Sequence, residues 1–169
     1  MKSIGIFLFV IFLNCFAFGQ SDPLENFNSH KFPCDTATTT LEINICAGIK
    51  SEYADSLLND LYNKIIKSID RDINENKKEL KLKQSQKDSS PDRKEYIQFL
   101  IKQIEYDQRL KISIIKSQRE WIKVRDLNLE VVSITCEGGR ECIAIENLSE
   151  LDDILERIKK LQSFYDVDN

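Results

Sequence analysis

From Asp92 to Val124 the chain runs for over thirty residues without proline or glycine, while apolar side chains return every three or four positions: Tyr96, Phe99/Leu100, Ile104, Leu110, Ile114/Ile115, Trp121/Ile122 and Val124. That period is the mark of an amphipathic helix. At 1.5 Å per residue it would be about 50 Å long, and a helix of that length is stable in water only when it packs along a partner of matching length. The segment before it supplies one. Leu41, Ile45, Ile49 and Tyr53 recur every fourth position, followed by Leu57/Leu58, Leu61/Tyr62, Ile65/Ile66, Ile69 and Ile73. Two long stripes of this kind restrict the fold to an all-α, elongated helical hairpin or bundle.

Local signals place the boundaries. Thr39 followed by Glu42 three residues later is a capping-box pattern, in which two otherwise orphaned amide donors are satisfied. Ser90 before Pro91 and Asp92 starts the second helix, because proline has no amide to waste in the first turn and an acid complements the helix dipole there. Between them, Asn74 to Ser90 is dominated by Lys, Glu, Gln and Asn. It reads as a helical extension or a charged linker, and its lysines read as a solvated face. The β-branched Val131, Val132 and Ile134 suggest that the second helix ends in an extended piece. The Gly138-Gly139 turn then leads to a last helix from about Ser149 to Phe164, striped by Leu151, Ile154/Leu155, Ile158 and Leu161. The expectation is about three helices, with no internal repeat.

The first residues read as a targeting segment. Lys2, the apolar run from Ile4 to Phe18 and the small residues of Ala17-Phe18-Gly19 have the form of a signal peptide over residues 1–19, cleaved before Gln20. About 15 apolar residues fall short of the roughly 20 that span a bilayer. Asn14 precedes Cys15 where lipid-modifying cleavage expects a small residue, so no lipid anchor is expected. The organisation expected is therefore a leader over 1–19, an N-terminal coil over 20–38 and a helical domain over 39–169, in a chain exported to the periplasm or the medium.

Export bears on the cysteines. Cys34, Cys46, Cys136 and Cys142 remain after cleavage, and an even number of thiols in an oxidising compartment reads as two disulfides. Of three possible connectivities, Cys34–Cys46 with Cys136–Cys142 is favoured because each pair is close in sequence and the Glu137–Arg140 turn can bring the second pair together. A metal site is not expected, since no Cys-x-x-Cys pair occurs and the sole histidine, His30, lies in the leader coil. Nor is catalysis. No nucleophile stands beside a base, no Gly-rich phosphate loop occurs, and a carboxylate pair such as Glu42 and Asp55 is what any acid-rich helix offers. No cofactor is called for.

The formal charge is −4, from 24 basic and 28 acidic residues; loss of Lys2 with the leader leaves 23 against 28, about −5. An acidic balance opposes nucleic-acid binding. It permits long-range attraction of a cationic protein, or simply maintains solubility.

Two motifs narrow this further. Cys34, Glu42 and Cys46 precede Ala54-Asp55-Ser56-Leu57-Leu58-Asn59-Asp60-Leu61-Tyr62, and a second stretch places Gln118, Trp121, Ile122, Arg125 and Asp126 at Gln-x-x-Trp-Ile-x-x-Arg-Asp spacing. In order and spacing, from Cys34 to about Leu161, the chain resembles the LprI-like family, small secreted bacterial proteins named for a lysozyme inhibitor. Two departures stand out. Leu129 occupies the position where the family usually has its third cysteine, which here is Cys136, and the charged 74–90 insertion lengthens the hairpin. The resemblance implies a secreted or periplasmic inhibitor that binds a cationic, lysozyme-type muramidase; the alternative is a cell-envelope scaffold or interaction module that inhibits nothing.

The motif residues themselves read as structural. Asp55, Asn59 and Tyr62 share one helix face, as do Gln118, Trp121/Ile122 and Arg125. In an antiparallel pair Arg125 would meet Asp55 or Glu42, and a largely buried Trp121 would pack against Tyr62 or Leu58. A partner-binding role falls instead to a polar loop at a hairpin end, with Glu137 and Glu141 of the bridged turn, or the 74–90 segment, as candidates.

Overall fold

The computed structural model describes residues 22–86, 90–136 and 139–165. They form four helices: α1 (Pro23–Ser29), α2 (Thr40–Ser85), α3 (Pro91–Thr135) and α4 (Cys142–Tyr165). The all-α expectation holds, with four helices in place of about three. The leader over residues 1–19 lies outside the described residues.

The additional helix lies within the segment expected as coil. Asp22 caps α1, its side chain accepting from the Leu24 amide at 2.8 Å, and Pro23 occupies the first turn. Leu24 and Phe27 seat it on the core, and Gln162 near the end of α4 donates to Asp22 at 2.7 Å. Past α1 the chain folds over Tyr53, whose ring meets Phe32 at 5.6 Å and stacks on His30 at 4.2 Å. The sole histidine thus contributes to packing.

α2 has the anticipated capping box, with Thr39 Oγ1 accepting from the Glu42 amide and Glu42 accepting from the Thr39 amide. Its 46 residues span about 69 Å and continue through the charged stretch to Ser85. α3 returns antiparallel to it. Lys111 reaches Asp70 at 2.6 Å, and nearer the other end Arg125 approaches Asp55 at 3.9 Å. The extended piece expected at Val131–Ile134 is absent; α3 stays helical to Thr135, because a continuing helix satisfies its amides while β-branching is only a weak preference. α4 begins at Cys142, seven residues before the expected start. It runs parallel to α2, as Asn44 with the Arg140 carbonyl (3.3 Å) and Ser51 with Glu150 (2.9 Å) establish.

Small residues explain how α4 comes so close. Ala47, Ser51 and Ala54 are at most 3 % exposed, and a Cβ built on Gly48 would stand 3.5 Å from the Asn147 amide nitrogen. Farther along, Leu58, Leu61 and Ile65 of α2 close on Leu151, Ile154, Ile158 and Leu161 of α4 and Ile114 of α3. This corrects the early part of the first stripe. Leu41 and Ile45 are 69 % and 53 % exposed, because the inward line begins with Ala47 and Ser51, not with the larger apolar residues beside it.

α4 spans only about 36 Å, so it accompanies half of α2. Phe164 lies beside Ile65, Ser68 and Ile69, and beyond that level α2 and α3 continue as a two-helix arm in which Ile73, Leu100 and Ile104 are buried. At the tip of the arm Ser90 caps α3, and Arg93 donates to the carbonyls of Lys83 and Gln84 that end α2. The two disulfides, Cys34–Cys46 and Cys136–Cys142, close the opposite end, where α2 starts and α3 turns into α4.

Candidate functional site

The Gln-x-x-Trp-Ile-x-x-Arg-Asp stretch places Gln118, Trp121 and Arg125 on the inward line of α3, one turn apart. Gln118 and Trp121 meet Arg157 of α4, and Arg125 meets both α2 and α4. The Arg125 guanidinium lies 3.9 Å from Asp55 on α2, 3.7 Å from Glu150 on α4 and 2.9 Å from the neighbouring Asp126. Asn59 donates to Asp55 at 2.8 Å, and Ser51 donates to Glu150 at 2.9 Å. One guanidinium therefore gathers carboxylates from three helices, and each of the two distant carboxylates accepts a hydrogen bond from another side chain.

Trp121 packs against the core and is partly buried, less than the sequence implied. Its ring is flanked by two cations, Arg125 at 5.4 Å and Arg157 at 5.7 Å. Arg157 is 7 % exposed and donates to Gln118 Oε1 at 2.8 Å and to Ser117 Oγ at 3.1 Å. Burial lowers its pKa from the usual arginine value, since these neutral acceptors replace only part of the water it gives up.

The structure thus brings together Asp55, Asn59, Gln118, Trp121, Arg125 and Asp126. Tyr62 packs separately against the core cluster. Glu42 is not a partner of Arg125: it is committed to the α2 cap, where the Thr39 and Thr38 amides hold its pKa below the ordinary 4.5. Ser51, Glu150, Ser117 and Arg157 went unrecognised in the sequence. A signal existed for Arg157, a charged residue set between Ile154 and Ile158 on the apolar stripe of α4; nothing marked Ser51 or Glu150.

Next to this network, toward the disulfide-closed end, α3 and α4 border a shallow groove of about 350 Å³ lined by Asp126, Glu130, Glu146 and Glu150. Of the cations described, Arg125 alone forms ion pairs with these acids, through Asp126 and Glu150. Glu141 is exposed one residue before Cys142, and Glu137 lies outside the described residues. Glu146 also stands near the sulfurs of Cys136 and Cys142, with donor atoms within 4.8 Å of one another. Those sulfurs are bonded to each other, so the cluster offers no thiolate to a metal.

Among the described residues the hydroxyl nearest a carboxylate in this network, Ser51 beside Glu150, is part of the contact between α2 and α4. The arrangement locks helix register and presents an acidic surface. No curated protein and no solved structure matches the chain. The family model described as Lysozyme inhibitor LprI matches residues 34–161, which span both disulfides, α2, α3 and most of α4, and the chain belongs to that family.

Proposed function

We propose that this protein is an exported inhibitor that binds a cationic, lysozyme-type muramidase in the periplasm or outside the cell. Its contact surface is the acidic end of the bundle: the Cys136–Cys142 turn with Glu137 and Glu141, and the adjoining α3/α4 groove. Family membership supports inhibition as the activity. The observation that carries the choice of surface is the groove itself, lined by Asp126, Glu130, Glu146 and Glu150, of which only Asp126 and Glu150 pair with Arg125. Such a surface accelerates encounter with a cationic partner. A disulfide that closes so short a loop restricts its conformations before binding, which would reduce the entropy lost on association, and a protruding hairpin end would suit a concave cleft. The network of Arg125, Trp121 and Arg157 then acts behind this surface, holding α3 and α4 in register.

The test is lysis of peptidoglycan by lysozymes of several types, with and without the purified oxidised protein. Inhibition should weaken when Glu130, Glu141 and Glu146 are replaced by lysine, mainly through slower association with a flatter salt dependence. Unchanged lysis at micromolar protein, against every type tried, would leave the chain a non-inhibitory envelope scaffold.

A further inference from the structure

The arm formed by α2 and α3 beyond the end of α4 carries a local excess of positive charge. Within residues 77–86 and 90–99, six cations (Lys77, Lys78, Lys81, Lys83, Arg93 and Lys94) face three carboxylates (Glu79, Asp92 and Glu95), in a protein whose overall charge is −4. Lys77, Lys78, Lys81 and Lys94 are exposed. The same few turns expose large apolar side chains: Leu82 at 54 %, Tyr96 at 40 % and Phe99 at 56 %. The Tyr96 and Phe99 rings stack at 6.1 Å, and Lys83 lies over the Tyr96 ring at 5.5 Å.

We propose that the tip of this arm docks on an anionic lipid surface, with Lys77, Lys78 and Lys81 drawn to the headgroups and Leu82, Tyr96 and Phe99 seated at the boundary with the acyl chains. Two observations select that partner. At the tip the cationic excess coincides with exposed apolar side chains from both helices, so attraction and burial act together at one end of an elongated molecule. The exposed residues between the lysines are those that gain from leaving water at a membrane interface, whereas an anionic polysaccharide would engage the lysines and leave Leu82 and Phe99 idle. Lysine stems long enough to lie along an apolar boundary while the ammonium stays in water make the two demands compatible. Peripheral docking is the mode that fits, because no helix among the described residues is long and apolar enough to cross a membrane. Docked by its tip, the molecule would hold the acidic, disulfide-closed end away from the lipid. This proposal stands independently of the inhibitor reading.

Vesicle co-sedimentation with the oxidised chain from Gln20 onward tests it. The protein should bind vesicles containing phosphatidylglycerol, ignore pure phosphatidylcholine, and be released by salt. Replacement of Lys77, Lys78 and Lys81 by glutamine should weaken binding at least tenfold, and so should Leu82→Ser combined with Phe99→Ser, each variant melting like the parent. A Phe99→Trp reporter, roughly 30 Å along α3 from the native Trp121, should shift its emission to the blue on binding. Absence of binding to anionic vesicles at low salt would overturn the proposal, as would parent-like binding by either set of variants. It also fails if Phe99→Ser dissociates a dimer seen by light scattering and leaves vesicle binding intact, since the flank would then serve self-association.

Discussion

Replacement of Arg125 by alanine removes a side chain whose ion pairs reach carboxylates on all three long helices, and its cost can be built from the contacts. The approaches to Asp55 at 3.9 Å and Glu150 at 3.7 Å are long and partly solvated, so each is worth about 0.3–0.5 kcal/mol. Asp126 is the adjacent residue and meets Arg125 in the unfolded chain as well, so it contributes little to the difference. The guanidinium over Trp121 at 5.4 Å adds about 0.5–1 kcal/mol. The side chain is 18 % exposed, and loss of its packed stem costs roughly 1 kcal/mol. No carboxylate is orphaned, because Asn59 and Ser51 still donate to Asp55 and Glu150. The total is about 2–3 kcal/mol, which for a domain of this size lowers the melting temperature by roughly 5–10 °C. Arg125→Met keeps most of the stem and should lose only about half as much. Thermal and urea unfolding of the parent and both variants measures these differences. A melting temperature within a degree of the parent for Arg125→Ala, with lysozyme inhibition abolished, would refute the structural reading and make Arg125 part of the binding surface.

Other expectations are independent of Arg125. Intact-mass measurement with and without reduction before alkylation should find two disulfides and no free thiol; with closed loops of only 12 and 6 residues, each bridge should contribute about 2 kcal/mol, the low end of the usual range. Ala54→Leu should destabilise by about 1–3 kcal/mol, because Ala54 is fully buried where α4 approaches α2, and calorimetry reads this directly. Attachment of the N-terminal segment should depend on acid. Hydrogen bonds from Gln162, Lys50 and the Thr39 amide are the first causes that lower the pKa of Asp22, Asp35 and Glu42 below 3.8, 3.8 and 4.5. A depressed pKa adds stability that is complete above the unfolded value and is lost as the pH falls through the folded one, so limited proteolysis near residues 30–38 should be constant at neutral pH and accelerate below about pH 4.

The sequence made the long helices legible because their large aliphatic residues repeat over many turns, and the Thr39 and Ser90 caps located both starts. It misled where small or polar residues carry the packing. Ala47, Ser51 and Ala54 do not advertise a buried face, whereas the stripe of Leu41 and Ile45 points to a core that lies on the neighbouring side of the helix. Within the motif, spacing was enough to put Gln118, Trp121 and Arg125 on one face and to pair Arg125 with Asp55. Its partners on α4 could not be read, because Glu150 and Arg157 acquire their roles only from the parallel register of α4 against α2, and no local pattern encodes that register. The capping role of Glu42 was legible from the Thr39 spacing, and it excludes the alternative of an ion pair with Arg125.

The mismatch in length between α4 and its two companions makes the molecule thermodynamically uneven. Amides of α2 and α3 opposite α4 are protected by packing on several sides, and release of their protons should require nearly global unfolding. On the arm each helix has a single neighbour, so sub-global opening there should cost far less and should begin at residues 80–100 before moving inward. A native-state exchange profile would then fall steadily along both long helices toward the tip, and the half with three long helices would behave as one cooperative unit that persists while the arm frays and reforms.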